Sequence, residues 1–252
     1  MAPPLLADLP WYALAAIPLV VLAAYAIFGA TGFGSSIFAV PLLAHLFPLA
    51  FCVALITTLD LFAATSTSVR LRRAVAWPDL RRVLPAAVIG IVAGVTVLVS
   101  LRQSAALLAL GIFVACYGTY VLAGARKLRR APAWLAWPIG LVGGVFSALF
   151  GTGGPIYMVF YSARIHDKGA LRATSAATVT VSVWIRLIAF AGAGLLLDPA
   201  LLTLAAAMLP VMLGGLVLGH RLHHKLSGHG VLRLISMLLV ANGLFLIARA
   251  AV

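Results

Sequence analysis

Acidic side chains are almost absent from this sequence: there are 5 in 252 residues, and every one is an aspartate. Charges of both signs make up 9% of the chain, against about 25% in an ordinary soluble domain, and 64% of it is apolar. That leaves too few polar side chains to cover a surface in water, which excludes a soluble enzyme. Cysteine is equally scarce. Cys52 and Cys116 both fall inside apolar runs, which suits neither a disulfide framework nor a metal cluster. Nucleotide-binding motifs are missing, which argues against ATP-driven transport by this chain alone. No basic stretch precedes the first apolar run and no clear cleavage site follows it, so no signal peptide is expected.

What the chain has instead is hydrocarbon, with a mean hydropathy of +1.15. Apolar segments fall at 11–46, 49–69, 83–101, 104–124, 133–163, 173–197, 200–219 and 231–250. A helical crossing needs about 20 apolar residues, so these read as an all-α polytopic membrane protein with no soluble domain. Six segments suit single helices. The other two, 11–46 and 133–163, are long for one span and short for two, and each has a glycine-rich interruption near its middle. The first reads Gly29-Ala30-Thr31-Gly32-Phe33-Gly34-Ser35-Ser36 and the second Phe150-Gly151-Thr152-Gly153-Gly154-Pro155. Each predicts a broken or re-entrant helical hairpin.

Laying Gly32-Phe33-Gly34 on Gly151-Thr152-Gly153 brings Pro78 near Pro199, Gly94 near Gly214 and Gly215, and Gly118 near Gly243. This predicts an internal repeat. Residues 1–127 form the first copy (hairpin 11–46, helices 49–69, 83–101 and 104–124), and residues 128–252 the second (hairpin 133–163, helices 173–197, 200–219 and 231–250). Loop charge sets the orientation. Arg70, Arg72, Arg73, Arg81 and Arg82 form one basic cluster, and Arg126, Lys127, Arg129 and Arg130 a second. A third comprises Arg221 and Lys225 beside His220, His223 and His224. All three are expected on the cytoplasmic side, as is the loop at 164–172, with both termini and the loops near Arg102 and Asp198 outside. The assignment works only if each hairpin returns to the side it started from. Three simple spans then follow per half, and the second half is inverted relative to the first. Arg249, near an outside C-terminus, is a mild misfit. Inverted repeats with matching broken helices are a recurrent plan of secondary transporters, with substrate at the repeat interface.

A glycine-rich break at membrane depth must be covered by protein or line a polar cavity. The half-helix that follows it directs free amides and the positive end of its dipole into that space, an anion site in outline. Gly32, Gly34, Gly151, Gly153 and Gly154 form the two turns, and Thr31, Ser35, Ser36 and Thr152 add hydroxyl donors. The competing explanation is ordinary small-residue helix packing. Two charges also sit inside apolar helices: Asp60 and Arg186. An ionisable group there costs at least about 2.5 kcal/mol at the helix centre, which makes function the default reading. Arg186 suits a sulfonate or carboxylate held bidentately. Asp60 is the candidate carrier of a coupling proton. An Asp60–Arg186 ion pair pinning the halves together is the structural alternative.

The stretches Gly32-Phe33-Gly34-Ser35-Ser36-Ile37-Phe38-Ala39-Val40-Pro41-Leu42-Leu43 and Gly151-Thr152-Gly153-Gly154-Pro155-Ile156-Tyr157 resemble the repeated GxGGG-type signature of the TauE/SafE sulfite exporter family, also called the toluene sulfonate uptake permease family. Ser35 and Ser36 stand where that signature commonly has glycine. Leu171-Arg172-Ala173-Thr174-Ser175-Ala176 resembles the Ala-Thr-Ser that follows the family's second signature. The resemblance implies transport of a small organic or sulfur-containing anion across the cytoplasmic membrane of a prokaryote, with Thr174 and Ser175 added to the candidate site. The anion, the direction of transport and a homodimer stay open. An anion channel shares the helix-end site, whereas an intramembrane enzyme lacks a paired nucleophile and base. No cofactor, metal or nucleic acid is expected; His220, His223 and His224 sit where a helix meets a basic loop. His45 reads as a headgroup contact, and Trp11, Trp77, Trp134 and Trp137 as interface anchors.

Overall fold

The computed structural model describes residues 11–124, 131–221 and 229–250. These form ten α-helices and two short 3-10 turns, with no strand among the described residues. In chain order they are α1 (Trp11–Thr31), α2 (Ser35–Leu43), α3 (Leu49–Leu71), α4 (Trp77–Ser100) and α5 (Gln103–Leu122), then α6 (Ala136–Phe150), α7 (Gly153–Ser162), α8 (Lys168–Gly192), α9 (Pro199–Arg221) and α10 (His229–Ala250). Seven of them, α1, α3, α4, α5, α6, α8 and α9, are long and apolar enough to cross a membrane. Large apolar side chains such as Ile89, Ile188 and Phe245 point outward from the bundle, as hydrocarbon permits and water does not. Trp77, Trp134 and Trp137 are exposed near helix ends.

Both overlong segments break at their glycines. α1 stops after Thr31, and Gly34 takes a φ of 99°, a left-handed backbone that only glycine adopts at little cost, before α2 restarts. α6 stops at Gly151, with a φ of 72°. Its amide bonds the Ser147 carbonyl at 2.9 Å and the next amide reaches Phe146 at 3.3 Å. The restarted helices have 9 and 10 residues, about 14 Å, or half a bilayer core.

Helix boundaries differ from the apolar segments where polar turns prolong a helix. α4 begins at Trp77 rather than 83, because Pro78 and Asp79 suit a first turn. α8 begins at Lys168 rather than 173, because the Asp167 carboxylate caps it by accepting from the Ala170 amide at 2.6 Å. It also stops at Gly192 rather than 197, at a turn where Gly194 has a φ of 75°.

Glycine lets backbones touch. α1 lies along α9, with Gly215 facing Leu22 and Tyr25, Gly219 facing Ala26, and Gly29 facing Gly219 and His220. The numbers rise together, so the two helices are parallel. α6 lies parallel along α4 in the same manner, through Gly90, Gly94, Gly140 and Gly144, and α10 lies antiparallel to α5 through Gly111, Gly118 and Gly243. α3 and α8 pack on each other, α3 also on α9 and α8 on α4. At one face of the bundle Arg249 donates to the carbonyls of Ala44 and His45, at 3.2 and 3.3 Å, joining the ends of α10 and α2. At the other, Asp79 accepts from Arg164 at 2.6 Å and from Arg82 at 3.1 Å, joining the start of α4 to the end of α7. The basic clusters at 126–130 and at Lys225, with His223 and His224, lie outside the described residues.

Candidate functional site

The two glycine turns meet. Phe33, in the first, packs against Gly154 at the start of α7, and Gly151 sits against Ser36 at the start of α2. Any side chain at Gly151 would strike Ser36 and approach Nη1 of Arg186. The sites legible as separate motifs are therefore one place, between α2, α3, α6, α7 and α8.

Asp60 is the midpoint of α3 and, like Arg186, is 1% exposed. Its carboxylate is an acceptor for three hydroxyls: Ser35 at 2.8 Å and Tyr25 at 2.9 Å on Oδ1, and Ser36 at 3.2 Å on Oδ2. Tyr25 also reaches the Ile56 carbonyl at 3.2 Å. The carboxylate thus lies at the N-terminal end of α2, where the helix dipole favours negative charge. Arg186 Nη2 stands 3.8 Å from Asp60 Oδ2, a pair held by charge rather than by a hydrogen bond. Arg186 makes one hydrogen bond, from Nη1 to the Ser147 carbonyl at 2.7 Å on the last turn of α6. Its Nε has no partner. The carboxylate is well satisfied and the guanidinium is not.

Of the residues nominated from sequence, Ser35, Ser36, Asp60, Gly151 and Arg186 are in mutual contact, with Gly154 reached through Phe33. Gly153 and Thr152 open α7 beside them, Thr152 being its N-cap. Gly34 supplies the first turn, while Gly32 packs on the Arg172 backbone. Arg172 itself donates to the Gly29 carbonyl near the C-terminal end of α1, where a cation offsets the dipole. Thr31 bonds back to the Ile27 carbonyl at 2.9 Å and closes the turn on Phe33. Thr174 and Ser175 lie elsewhere on α8, about 16–18 Å from Arg186 along the axis. Thr174 accepts from the Ala76 amide at 2.9 Å and donates to Ala170, and Ser175 bonds Leu171 and Met158. Tyr25, Ser147, Tyr157 and Ser182 join the site without having been singled out, because an isolated hydroxyl in an apolar helix carries no spacing signal.

Two cavities lie elsewhere on the bundle, and neither is lined by Asp60 or Arg186. One of about 640 Å³ lies between α2 and α10, mostly apolar, with His45, Asn242 and Arg249 at its rim. The other, about 550 Å³, lies between α3 and α9 and is lined by Ser66, Thr67, Arg70, Leu216, His220 and Arg221. Thr67 is two helical turns from Asp60 on the same side of α3. No group of three or more metal-ligating side chains occurs among the described residues.

Comparison with known proteins bears on this arrangement. A probable inner membrane transporter protein of Comamonas testosteroni, TsaS, is 27% identical over 175 residues, covering 69% of this chain and 73% of that one. No solved structure matches significantly. The family model described as sulfite exporter TauE/SafE matches residues 17–246, from α1 to α10. Because that match covers most of the chain, the chain belongs to the TauE/SafE sulfite exporter family.

Proposed function

We propose that this protein is a secondary transporter of a small sulfur-containing or organic anion in the inner membrane, working by alternating access at the junction of two inverted repeats. One observation carries the reading: two broken helices meet at mid-bundle around a buried Asp60–Arg186 pair. Membrane helices carry buried charge where a solute or proton must pass. The coupled anion is of the sulfite, sulfonate or carboxylate type, in keeping with the family.

The repeat reading, with copies 1–127 and 128–252, is supported by reciprocal packing. α1 on α9 corresponds to α6 on α4, α3 on α9 to α8 on α4, and the pairs α3–α8 and α5–α10 map onto themselves. The burial of Asp60 and Arg186 supports alternating access over a continuous pore through the site, which would keep both in water. Asp60 is the proton carrier in this scheme. Its carboxylate holds Ser35, Ser36 and Arg186 at once, so taking up a proton loosens all three contacts as the anion engages the guanidinium.

The test is flux in proteoliposomes with sulfite and with methanesulfonate, with and without a pH gradient. Saturable flux that the gradient drives is expected. Asp60→Asn should retain exchange between equal compartments and lose gradient-driven accumulation. Unsaturable conductance would refute the carrier mechanism, and unchanged accumulation by Asp60→Asn would remove the proton from Asp60.

A further inference from the structure

Four buried polar atoms around the start of α7 make no hydrogen bond of ordinary geometry: Thr152 Oγ1, Tyr157 Oη, Ser182 Oγ and Arg186 Nε. All four residues are at most 2% exposed. An unsatisfied buried polar group costs about 1–3 kcal/mol, so four in one neighbourhood require an explanation. They are grouped by the fold. Ser182 lies one turn before Arg186 on α8, Tyr157 one turn after Gly153 on α7, and Tyr157 is close enough to both Ser182 and Arg186 to interact with them. The Tyr157 ring is fixed between Gly143 and Gly153, either of which would collide with it if it carried a side chain. Thr152 is an N-cap whose hydroxyl caps nothing, and the residue three places on, where an N-cap finds its usual amide, is Pro155.

The first half of the molecule has the counterpart set: a tyrosine, Tyr25, and two serines, Ser35 and Ser36, at the start of the short helix α2. There the hydroxyls converge on a carboxylate of the protein's own, Asp60. On the second half a tyrosine, a serine, a threonine and the unpartnered Nε of a guanidinium lie around the start of α7, and Asp60, 3.8 Å from Nη2, makes no hydrogen bond with that guanidinium. We propose that Thr152, Tyr157, Ser182 and Nε of Arg186 form the oxyanion-binding half of the transport site, taking one singly charged sulfonate or sulfite head. Ser35, Ser36 and Tyr25 then serve Asp60 instead. This assignment rests on the transport reading above and names the atoms that would touch the solute.

The test separates a ligand role from a structural one. Purified Tyr157→Phe, Ser182→Ala and Thr152→Val proteins are compared with wild type for thermal stability alone, and for affinity and stabilisation with sulfite and with methanesulfonate. Thr152→Val removes a hydroxyl with no partner in the protein, so its stability without added anion should be unchanged or higher, and Tyr157→Phe and Ser182→Ala each give up no more than the contact between those two hydroxyls, so both should lose little. Each change should weaken anion binding about tenfold. Tyr161→Phe is the contrast. Its hydroxyl is 2.8 Å from that of Thr178, so it should lose stability and keep wild-type affinity. Wild-type affinity in Tyr157→Phe and Ser182→Ala would overturn the assignment, as would a loss of stability without anion that accounts for any weaker binding. If wild type itself bound neither anion, the transport reading would fall and this assignment with it.

Discussion

Removing Asp60 should damage the protein more than removing Arg186. At 3.8 Å and an effective dielectric of about 20, the pair attracts by about 4 kcal/mol. Asp60→Asn forfeits that attraction and leaves a buried guanidinium with one hydrogen bond, to Ser147. Breaking a buried pair this way costs about 3–5 kcal/mol. Arg186→Gln leaves a carboxylate still held by Tyr25, Ser35 and Ser36, so a smaller loss of about 1–3 kcal/mol is expected. In the double variant no uncompensated charge remains, so its stability should exceed that of Asp60→Asn, with a coupling energy of at least about 2 kcal/mol. Unfolding in mixed micelles of rising dodecyl sulfate content measures this, and Trp184, half exposed two residues from Arg186, reports on the site. Anion affinity provides the second axis. Arg186→Gln should lose about 2–5 kcal/mol of binding, and the double variant should regain stability without regaining affinity. An Asp60→Asn protein as stable as wild type, or losses that simply add, would refute the charge argument. Stability and affinity recovering together would reduce Arg186 to the structural partner of Asp60.

Gly151→Ala forces a left-handed φ of 72° on a side chain, at about 1–2 kcal/mol. It also sets a Cβ 2.5 Å from Ser36 Oγ, so flux should be lost while the protein still inserts. Wild-type flux would mean that the turns do not meet. In a background lacking Cys52 and Cys116, a cysteine at Asp198 should react only from outside and one at Arg81 only from inside; cytoplasmic labelling at 198 would end the inverted-repeat proposal. The His45 imidazole, in the connection between α2 and α3, is held below its ordinary value of 6.5 by burial and then by the Arg249 guanidinium. Above that value the imidazole is neutral whether the chain is folded or not. Below it, the unfolded chain binds the proton first, so protonation opposes the fold. Protection of amides at the end of α10, the intrinsic exchange rate divided by the observed one, should therefore fall as the pH drops below about 6.5, and His45→Gln should remove the dependence.

The parts of the site legible in the sequence are those that hydrocarbon makes conspicuous. Asp60 and Arg186 stood out because a charge in an apolar helix needs a reason, and the glycine turns because a broken helix does. Their supporting groups carried no such mark. Tyr25 looks like any aromatic residue of an apolar helix, and only the fold brings it level with Asp60. Ser35 and Ser36 were legible as anion donors, but not that a carboxylate of the same chain takes them. Thr174 and Ser175 were nominated by resemblance, and their hydroxyls are engaged near the start of α8 with Ala76, Ala170, Leu171 and Met158. Helix ends were misjudged at α4 and α8 because apolarity marks the bilayer, whereas caps mark the helix.

The glycine seams have a consequence for how the chain can be cut. α1 is bolted to α9 and α6 to α4 with backbone nearly touching backbone, so each hairpin's seat is supplied by the other half. Neither half alone can cover its own broken helix, and a short helix facing lipid with an open turn leaves amides unsatisfied. Two polypeptides, 1–127 and 128–252, should therefore be degraded when made singly and assemble into a working protein when made together. Assembly of the two pieces would make the peptide link between them dispensable and the exchange of arms across it essential.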